Sequence, residues 1–259
     1  MAKIISTFIL LLGFLTVDAQ YAYFGSRGTI AFDKITFTKA RARSMSQQWN
    51  NNPSMRMRGN MNVDNLPEST TEKMLLHFDE NSTLLTLAPD ESSLTSTTGR
   101  ASSRNAGARM AGRGNQSRVT SGASAGIRMG RSGATSKTYF QDLRKNSSSL
   151  QLEIDDKYII TDTLNNITWR FTDEYRDIAG FECRRVNGAT ADSLYLVAFY
   201  TDQIPVSAGP ALSSGLPGMI LGLAIPEMHI QYWATQINYS NDTVPSDWKD
   251  KKATTLTFD

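Results

Sequence analysis

The feature that most constrains this chain is a succession of short apolar runs in its second half, broken at close intervals by residues that favour turns. The runs are Thr138 to Leu143, Leu150 to Ile154, Tyr158 to Thr161, Thr168 to Phe171, Phe181 to Val186, Leu194 to Tyr200, Gly218 to Ile225 and His229 to Tyr239. Asp155-Asp156, Asn165-Asn166 and Asn187-Gly188 fall between them and read as turns. Runs this short, rich in β-branched and aromatic residues, form strands rather than helices, and close spacing favours antiparallel neighbours in a meander. The first half continues the pattern. Ile30, Phe32, Ile35 and Phe37 give a broken alternation that suits a strand with a bulge, and Met74 to Phe78 and Thr83 to Leu87 flank Asp79-Glu80-Asn81-Ser82 as a hairpin. One helix is predicted between Ala40 and Asn52, stopped by Pro53. The fold class expected is mainly β, a curved antiparallel sheet or incomplete barrel with one or two short helices.

The segment 88–136 breaks this texture. It holds no aromatic residue, is dominated by Ser, Thr, Gly, Ala and Asn, and carries Arg100, Arg104, Arg109, Arg113, Arg118, Arg128 and Arg131. Such a composition buries too little apolar surface to offset its ordering entropy and reads as a disordered basic insert. Its charge allows contact with an anionic membrane surface; the plainer reading is a tolerated loop, because closure entropy grows slowly with length. The organisation expected is therefore 20–87 as the first strands and helix, 88–136 as insert, and 137–259 as the remaining β core. A net charge of +2 over 259 residues does not suggest a nucleic-acid partner.

The amino-terminal stretch has a Lys at position 3, an apolar centre from Phe8 to Leu15, and Val17-Asp18-Ala19 before Gln20. This is the signal-peptide pattern, with residues 1–19 removed on export, and it predicts a periplasmic or secreted protein. Cys183 is the single cysteine, so no intramolecular disulfide is available and stability rests on an ordinary core. That core is expected to include Trp169, Phe171, Phe181, Cys183, Leu196, Phe199, Met219, Leu221 and Trp233.

Ser214-Gly215-Leu216-Pro217-Gly218-Met219-Ile220-Leu221-Gly222 resembles the signature of the GLPGLI family. The stretch from Trp169 through Thr172-Asp173-Glu174-Tyr175-Arg176 to Cys183-Arg184-Arg185 resembles a second family segment. So does Val197 to Ser207, and Trp233-Ala234-Thr235 resembles the closing strand. The resemblance covers about residues 137 to 237. It implies a secreted or periplasmic protein of the Bacteroidota, in a family named for a motif rather than a reaction, with a distant likeness to envelope carriers of the LolA type. In the signature itself, Gly215 and Gly218 leave φ free on either side of a fixed Pro217, which suits a tight turn feeding a strand. Gly215, Leu216, Pro217 and Gly218, together with Tyr175 and Arg176, are the candidate binding positions.

Chemistry is sparse. His77 and His229 are the only histidines, and Cys183 alternates with Phe181 on one strand face, as a small buried residue does. Asp173-Glu174 could support an ion pair with Arg176. The sharper alternative is copper handling: Met55, Met57 and Met61 cluster, Met228 precedes His229, and thioether ligands suit Cu(I), although Arg56 and Arg58 oppose a bound cation. The plainer role for these methionines is packing. The reading is a non-catalytic envelope protein, without cofactor, that binds a partner protein or an apolar ligand through a curved β-sheet; metal handling is second and an uncharacterised enzyme third.

Overall fold

A computed structural model describes residues 25–50, 63–89, 136–153, 156–164 and 166–257. Residues 1–19, Met55, Met57, Met61, Pro53 and the insert between 90 and 135 lie outside the described residues. The protein is mainly β: among the described residues twelve strands form one sheet, accompanied by one α-helix, α1 (Thr38–Asn50). In chain order the strands are β1 (Gly28–Thr36), β2 (Thr70–Phe78), β3 (Ser82–Leu87), β4 (Ser136–Asp142), β5 (Ser147–Glu153), β6 (Lys157–Thr163), β7 (Ile167–Ile178), β8 (Phe181–Thr190), β9 (Tyr195–Thr201), β10 (Met219–Ile225), β11 (Ile230–Tyr239) and β12 (Thr254–Thr257).

The sheet is two meanders zipped together. Strands β1 to β6 run in sequence order, β7 to β11 do the same, and β1 pairs with β11 to join them. Short polar turns explain the meanders, since adjacent antiparallel strands need only a hairpin. Asp79 shows how one such turn closes: its Oδ1 accepts the backbone N–H groups of Asn81 and Ser82 at 2.8 Å. All pairings are antiparallel except that of β12, which adds parallel to β6 with Thr254 opposite Tyr158.

The sheet is curved and open, not closed into a barrel. In strand order β6 and β7 lie near opposite ends, yet only residues 164–166 connect them. A connection of that length spans at most about 14 Å, so the ends of the sheet must approach one another across a seam. Side chains also meet across the hollow. The phenols of Tyr139 on β4 and Tyr232 on β11, with three strands between them in the sheet, are near enough for each to act on the ionisation of the other.

The concave face carries most of the core. Ile30 and Phe32 of β1, Met74, Leu76 and Phe78 of β2, Leu85 of β3, Ala198 of β9, Leu223 of β10 and Tyr232 of β11 are all buried. Register shifts bend individual strands. Thr235 of β11 is the extra residue opposite the Ala31/Phe32 step, so the predicted bulge exists but lies on the partner of β1.

Four expectations are corrected. The helix runs from Thr38, earlier than predicted. Asn187 and Gly188 are not a turn but lie within β8, where Gly188 gives room for the Trp169 ring to lie against the backbone. Phe171 is 47 % exposed and does not join the core, although Cys183, Leu196, Met219 and Leu221 are buried in it and Trp169, Phe181, Phe199 and Trp233 pack against it. The residues 88–136 also overreach at both ends: Ala88 N–H donates to the Lys73 carbonyl and Ser136 opens β4.

Candidate functional site

The signature loop, Asp202 to Gly218, folds back into the hollow instead of standing over it. Gln141 on the concave side of β4 is 1 % exposed; its amide N–H donates to Ser213 O at 3.2 Å while its Oε1 accepts the Thr83 hydroxyl at 2.8 Å. The indole N–H of Trp169 donates to Ser214 O at 2.9 Å. The loop is thus tied to strands from both meanders. Leu216 and Gly218 are buried, whereas Gly215 and Pro217 are exposed. Gly218 N–H donates to Leu216 O across Pro217, a three-residue turn. The φ of Gly218 is +155° and a Cβ there would collide with the Thr201 carbonyl; Gly215 has φ +89°. Both glycines are required by the backbone, so of the four signature positions only Gly215 and Pro217 are open to a partner.

Gly215 also borders a cleft of about 530 Å³ at the seam, with Leu143, Asn146, Leu164, Asn166, Ile167, Ser207 and Ser214.

Tyr175 and Arg176 lie on β7, which pairs with β8 on one side and, among the described residues, with nothing on the other. Between Phe171 and Tyr175 its register slips, so Thr172, Asp173 and Glu174 stand opposite the single residue Arg185. Two arginines of β8 fill this wide bulge. Arg184 Nε donates to Thr172 O at 2.6 Å and its Nη2 lies 3.2 Å from Asp173; Arg185 Nη1 donates to Glu174 Oε2 at 2.6 Å. The hydrogen bond to Glu174 raises the pKa of the Arg185 guanidinium. The predicted pairing of these carboxylates with Arg176 is therefore not made. The Arg176 guanidinium instead sits over the Trp233 ring, 4.6 Å from its centroid, on the outer face of the sheet.

Either side of the bulge the edge presents aromatic surface. Tyr175 is 57 % exposed. Arg184 lies over both Phe171 and Tyr175, at 5.4 and 6.0 Å from the ring centroids, and Phe171 packs edge-on against Tyr200 at 6.1 Å. Phe171 and Tyr175 share a face with Arg184 and Tyr200, because each stands opposite a β8 residue of that set or its i±2 neighbours. The core expectation for Phe171 missed this, since apolarity alone does not say whether a strand lies at an edge.

Groups that could do chemistry are separated. His77 is opposite Thr29 and His229 adjoins Ile230, which is opposite Thr36. Seven residues of β1 put the two imidazoles roughly 23 Å apart along the strand. Burial lowers the pKa of His77, with the Asp242 charge opposing. Cys183 is fully buried, and burial, with the nearby Asp177 charge second, pushes its thiol up to about 12. His229, at φ +55°, ends the 3-10 turn Pro226–Met228 and borders a shallow cleft with Phe37 and Ile230. Met228 is half-exposed beside it. Among the described residues no group of three or more His, Cys, Asp or Glu side chains could hold a metal ion. No described helix is long and apolar enough to cross a membrane, which does not bear on strands.

The fold and edge geometry define an open-sheet β protein with an aromatic edge. The model of a family described as "Protein of unknown function (Porph_ging)" matches residues 182–222, from β8 through the signature loop into β10. No curated protein matches the chain. Among solved structures, PNGF-II in its C2 crystal form is similar at a TM-score of 0.50 and 10 % identity, covering 90 % of this chain and 31 % of that one. The P21 form gives 0.49 and 10 %, covering 89 % and 32 %. This chain thus spans about a third of the length of those proteins, and the likeness is one of fold.

Proposed function

We propose that the protein is a non-catalytic binding module of the cell envelope, of the GLPGLI type, that takes an extended segment of a partner protein along β7. The observation that carries this is that the twelve-residue strand β7 has, among the described residues, a partner on one side only and exposes aromatic side chains at Phe171 and Tyr175. An unpaired edge offers a row of backbone donors and acceptors to an added strand, and aromatic residues with arginine supply the side-chain part of recognition. Edges of this kind also invite indiscriminate pairing. The Thr172–Glu174 bulge, with its two arginine-held carboxylates, interrupts the ladder and restricts an incoming strand to short flanks.

An apolar-ligand carrier is the less favoured form of the same idea, because the chain's own loop, Leu216 included, packs in the hollow where such a ligand would sit. Copper handling has Met228 and His229 as its only described candidates. Export and the envelope location rest on the amino-terminal sequence pattern and the signature resemblance.

The test is a photo-crosslinking amino acid placed at Tyr175 and, as a control, at the comparably exposed Leu87, in cells that make the protein. A discrete adduct from position 175, missing from position 87, is expected. Equal adducts from both, or none from 175, would refute edge recognition.

A further inference from the structure

The cleft at the seam has no part in strand recognition at Phe171 and Tyr175. Three separate parts of the chain wall it: the β4–β5 turn with Leu143 and Asn146, the β6–β7 connection with Leu164 and Asn166 running into Ile167, and the signature loop with Ser207, Ser214 and Gly215. Its volume of about 530 Å³ is that of a small-molecule site. Backbone bonds fix the walls. Leu164 N–H donates to Asn146 O at 3.1 Å, which joins the turn to the connection, and Leu143 N–H donates to Asn81 O at 2.8 Å. On the loop side, Gly215 N–H donates to Ser207 Oγ at 3.1 Å, and the Trp169 indole holds Ser214 O at 2.9 Å.

The polar side chains of this cleft lack partners inside the protein. Among the described residues the carboxamides of Asn146 and Asn166 make no hydrogen bond, and neither does the Ser214 hydroxyl. The depth of Ser214 shows where its hydroxyl points. The residue is 7 % exposed, and an unbonded oxygen at that depth is either walled off or opens into a cavity. Among the described residues the one walled-off, unbonded side-chain atom is Asn187 Oδ1, so the Ser214 hydroxyl opens into the cleft that it lines. A polar group so placed costs free energy unless solvent or a ligand completes its bonding. Ser207 Oγ, already an acceptor for Gly215, keeps its proton to donate. No lining residue is ionisable, and Leu143, Leu164 and Ile167 supply apolar surface beside the polar groups.

We infer that the seam cleft binds a neutral sugar through Asn146, Asn166, Ser207 and Ser214. A sugar ring combines an apolar C–H face with hydroxyls that both donate and accept, the same mixture that the cleft presents. Each carboxamide offers N–H donors and an acceptor oxygen side by side, which suits two neighbouring hydroxyls, and the serines add one hydroxyl each. Leu143, Leu164 and Ile167 cover C–H surface. A phosphate or carboxylate would find no cation here to offset its desolvation, and a wholly apolar ligand would leave the amides and hydroxyls unbonded. A free oligosaccharide and a glycan carried on a larger molecule share this chemistry.

Calorimetric titration of the full chain with maltose, lactose, cellobiose and chitobiose tests the site, alongside binding to a printed array of longer neutral glycans. Ser214→Ala should weaken binding about two- to tenfold, as loss of one neutral hydrogen bond does. Asn146→Gly, which suits the φ of +51° at that position, combined with Asn166→Ala should abolish it. Binding should not change between low and high salt, because no charge takes part. The altered side chains bond to nothing in the protein, so melting temperatures should hold; if the double variant melts early, Ser214→Ala alone decides. Saturable binding of a disaccharide identifies a free sugar as ligand. Array binding alone, weakened in the same variants, identifies a glycan on a larger molecule. If nothing binds in either assay, or Ser214→Ala binds as the unaltered protein does, or binding falls steeply with salt, the inference is overturned. A Tyr175 adduct that disappears in the double variant while no sugar binds would give the cleft to the protein partner and overturn it too. Crosslinking at Tyr175 in the unaltered protein is independent of sugar binding.

Discussion

At the residue scale, the signature glycines differ in what they do. A side chain at Gly218 would meet the Thr201 backbone in a conformation that side chains rarely adopt. Gly218→Val should therefore destabilise the fold by about 1–3 kcal/mol or more, since strain adds to a backbone collision. Gly222, in β10, faces a different obstacle: an added methyl would lie 2.7 Å from the Trp233 ring and 3.1 Å from Ile178. Side chains can give where backbone cannot, so Gly222→Ala should cost less than Gly218→Val and should disturb the Arg176–Trp233 stack. Thermal melts with Trp fluorescence would check both the order and the local effect. The turn at Pro217 was legible in the sequence because glycine and proline report backbone geometry directly. That the turn points into the hollow was not, since burial of Leu216 depends on Gln141 and Trp169, distant in the chain. Gln141 itself was missed; a lone polar residue in a strand carries no signal that its amide will bridge Thr83 and a loop carbonyl.

At the scale of elements, most strands could be read because turn residues bracket them, and the errors have a common cause. Asn187-Gly188 has turn composition, yet here glycine makes room for the Trp169 ring within a strand. Strand β12 was not foreseen, as four residues of Thr and Leu are too short to show a period. Its attachment makes a pH prediction. The turn before it is tethered by Lys157 Nζ, 2.6 Å from Asp250 Oδ2, and Asp250 N–H donates to Gln151 Oε1 at 3.0 Å. The hydrogen bond from Lys157 holds the Asp250 carboxyl below its ordinary value of 3.8 and raises Lys157. A carboxyl with a depressed folded pKa stabilises above its ordinary value, and that contribution is lost as pH falls through the lower folded value. Amide protection of β12 should thus fade below about pH 3.8, ahead of β1 and β11, and Asp250→Asn should remove the dependence. Hydrogen exchange from pH 5 down to 2.5, corrected for intrinsic rates, would show uniform loss across the sheet if the tether contributes nothing.

At the scale of the molecule, the curved mainly-β architecture followed from strand pattern, but the order of the two meanders did not. Pairing of β1 with β11 joins residues about 200 apart, and no local pattern encodes it. The same topology makes a prediction about the insert. Strands β3 and β4 are already hydrogen-bonded neighbours, with Leu85 opposite Tyr139. Replacing residues 90–135 by a short Gly/Ser link should leave the melting temperature within a few degrees, because shortening a loop costs little. A large drop would show that the replaced residues pack on the sheet.

The central claim is that β7 receives a partner strand. It is tested most directly by hydrogen–deuterium exchange of the protein alone and saturated with the partner that crosslinking at Tyr175 captures. Edge recognition predicts slowed exchange confined to backbone amides of residues 167–171 and 175–178, where free N–H groups gain acceptors. Protection centred instead on residues 202–218 or elsewhere around the seam cleft, with β7 unchanged, would contradict it.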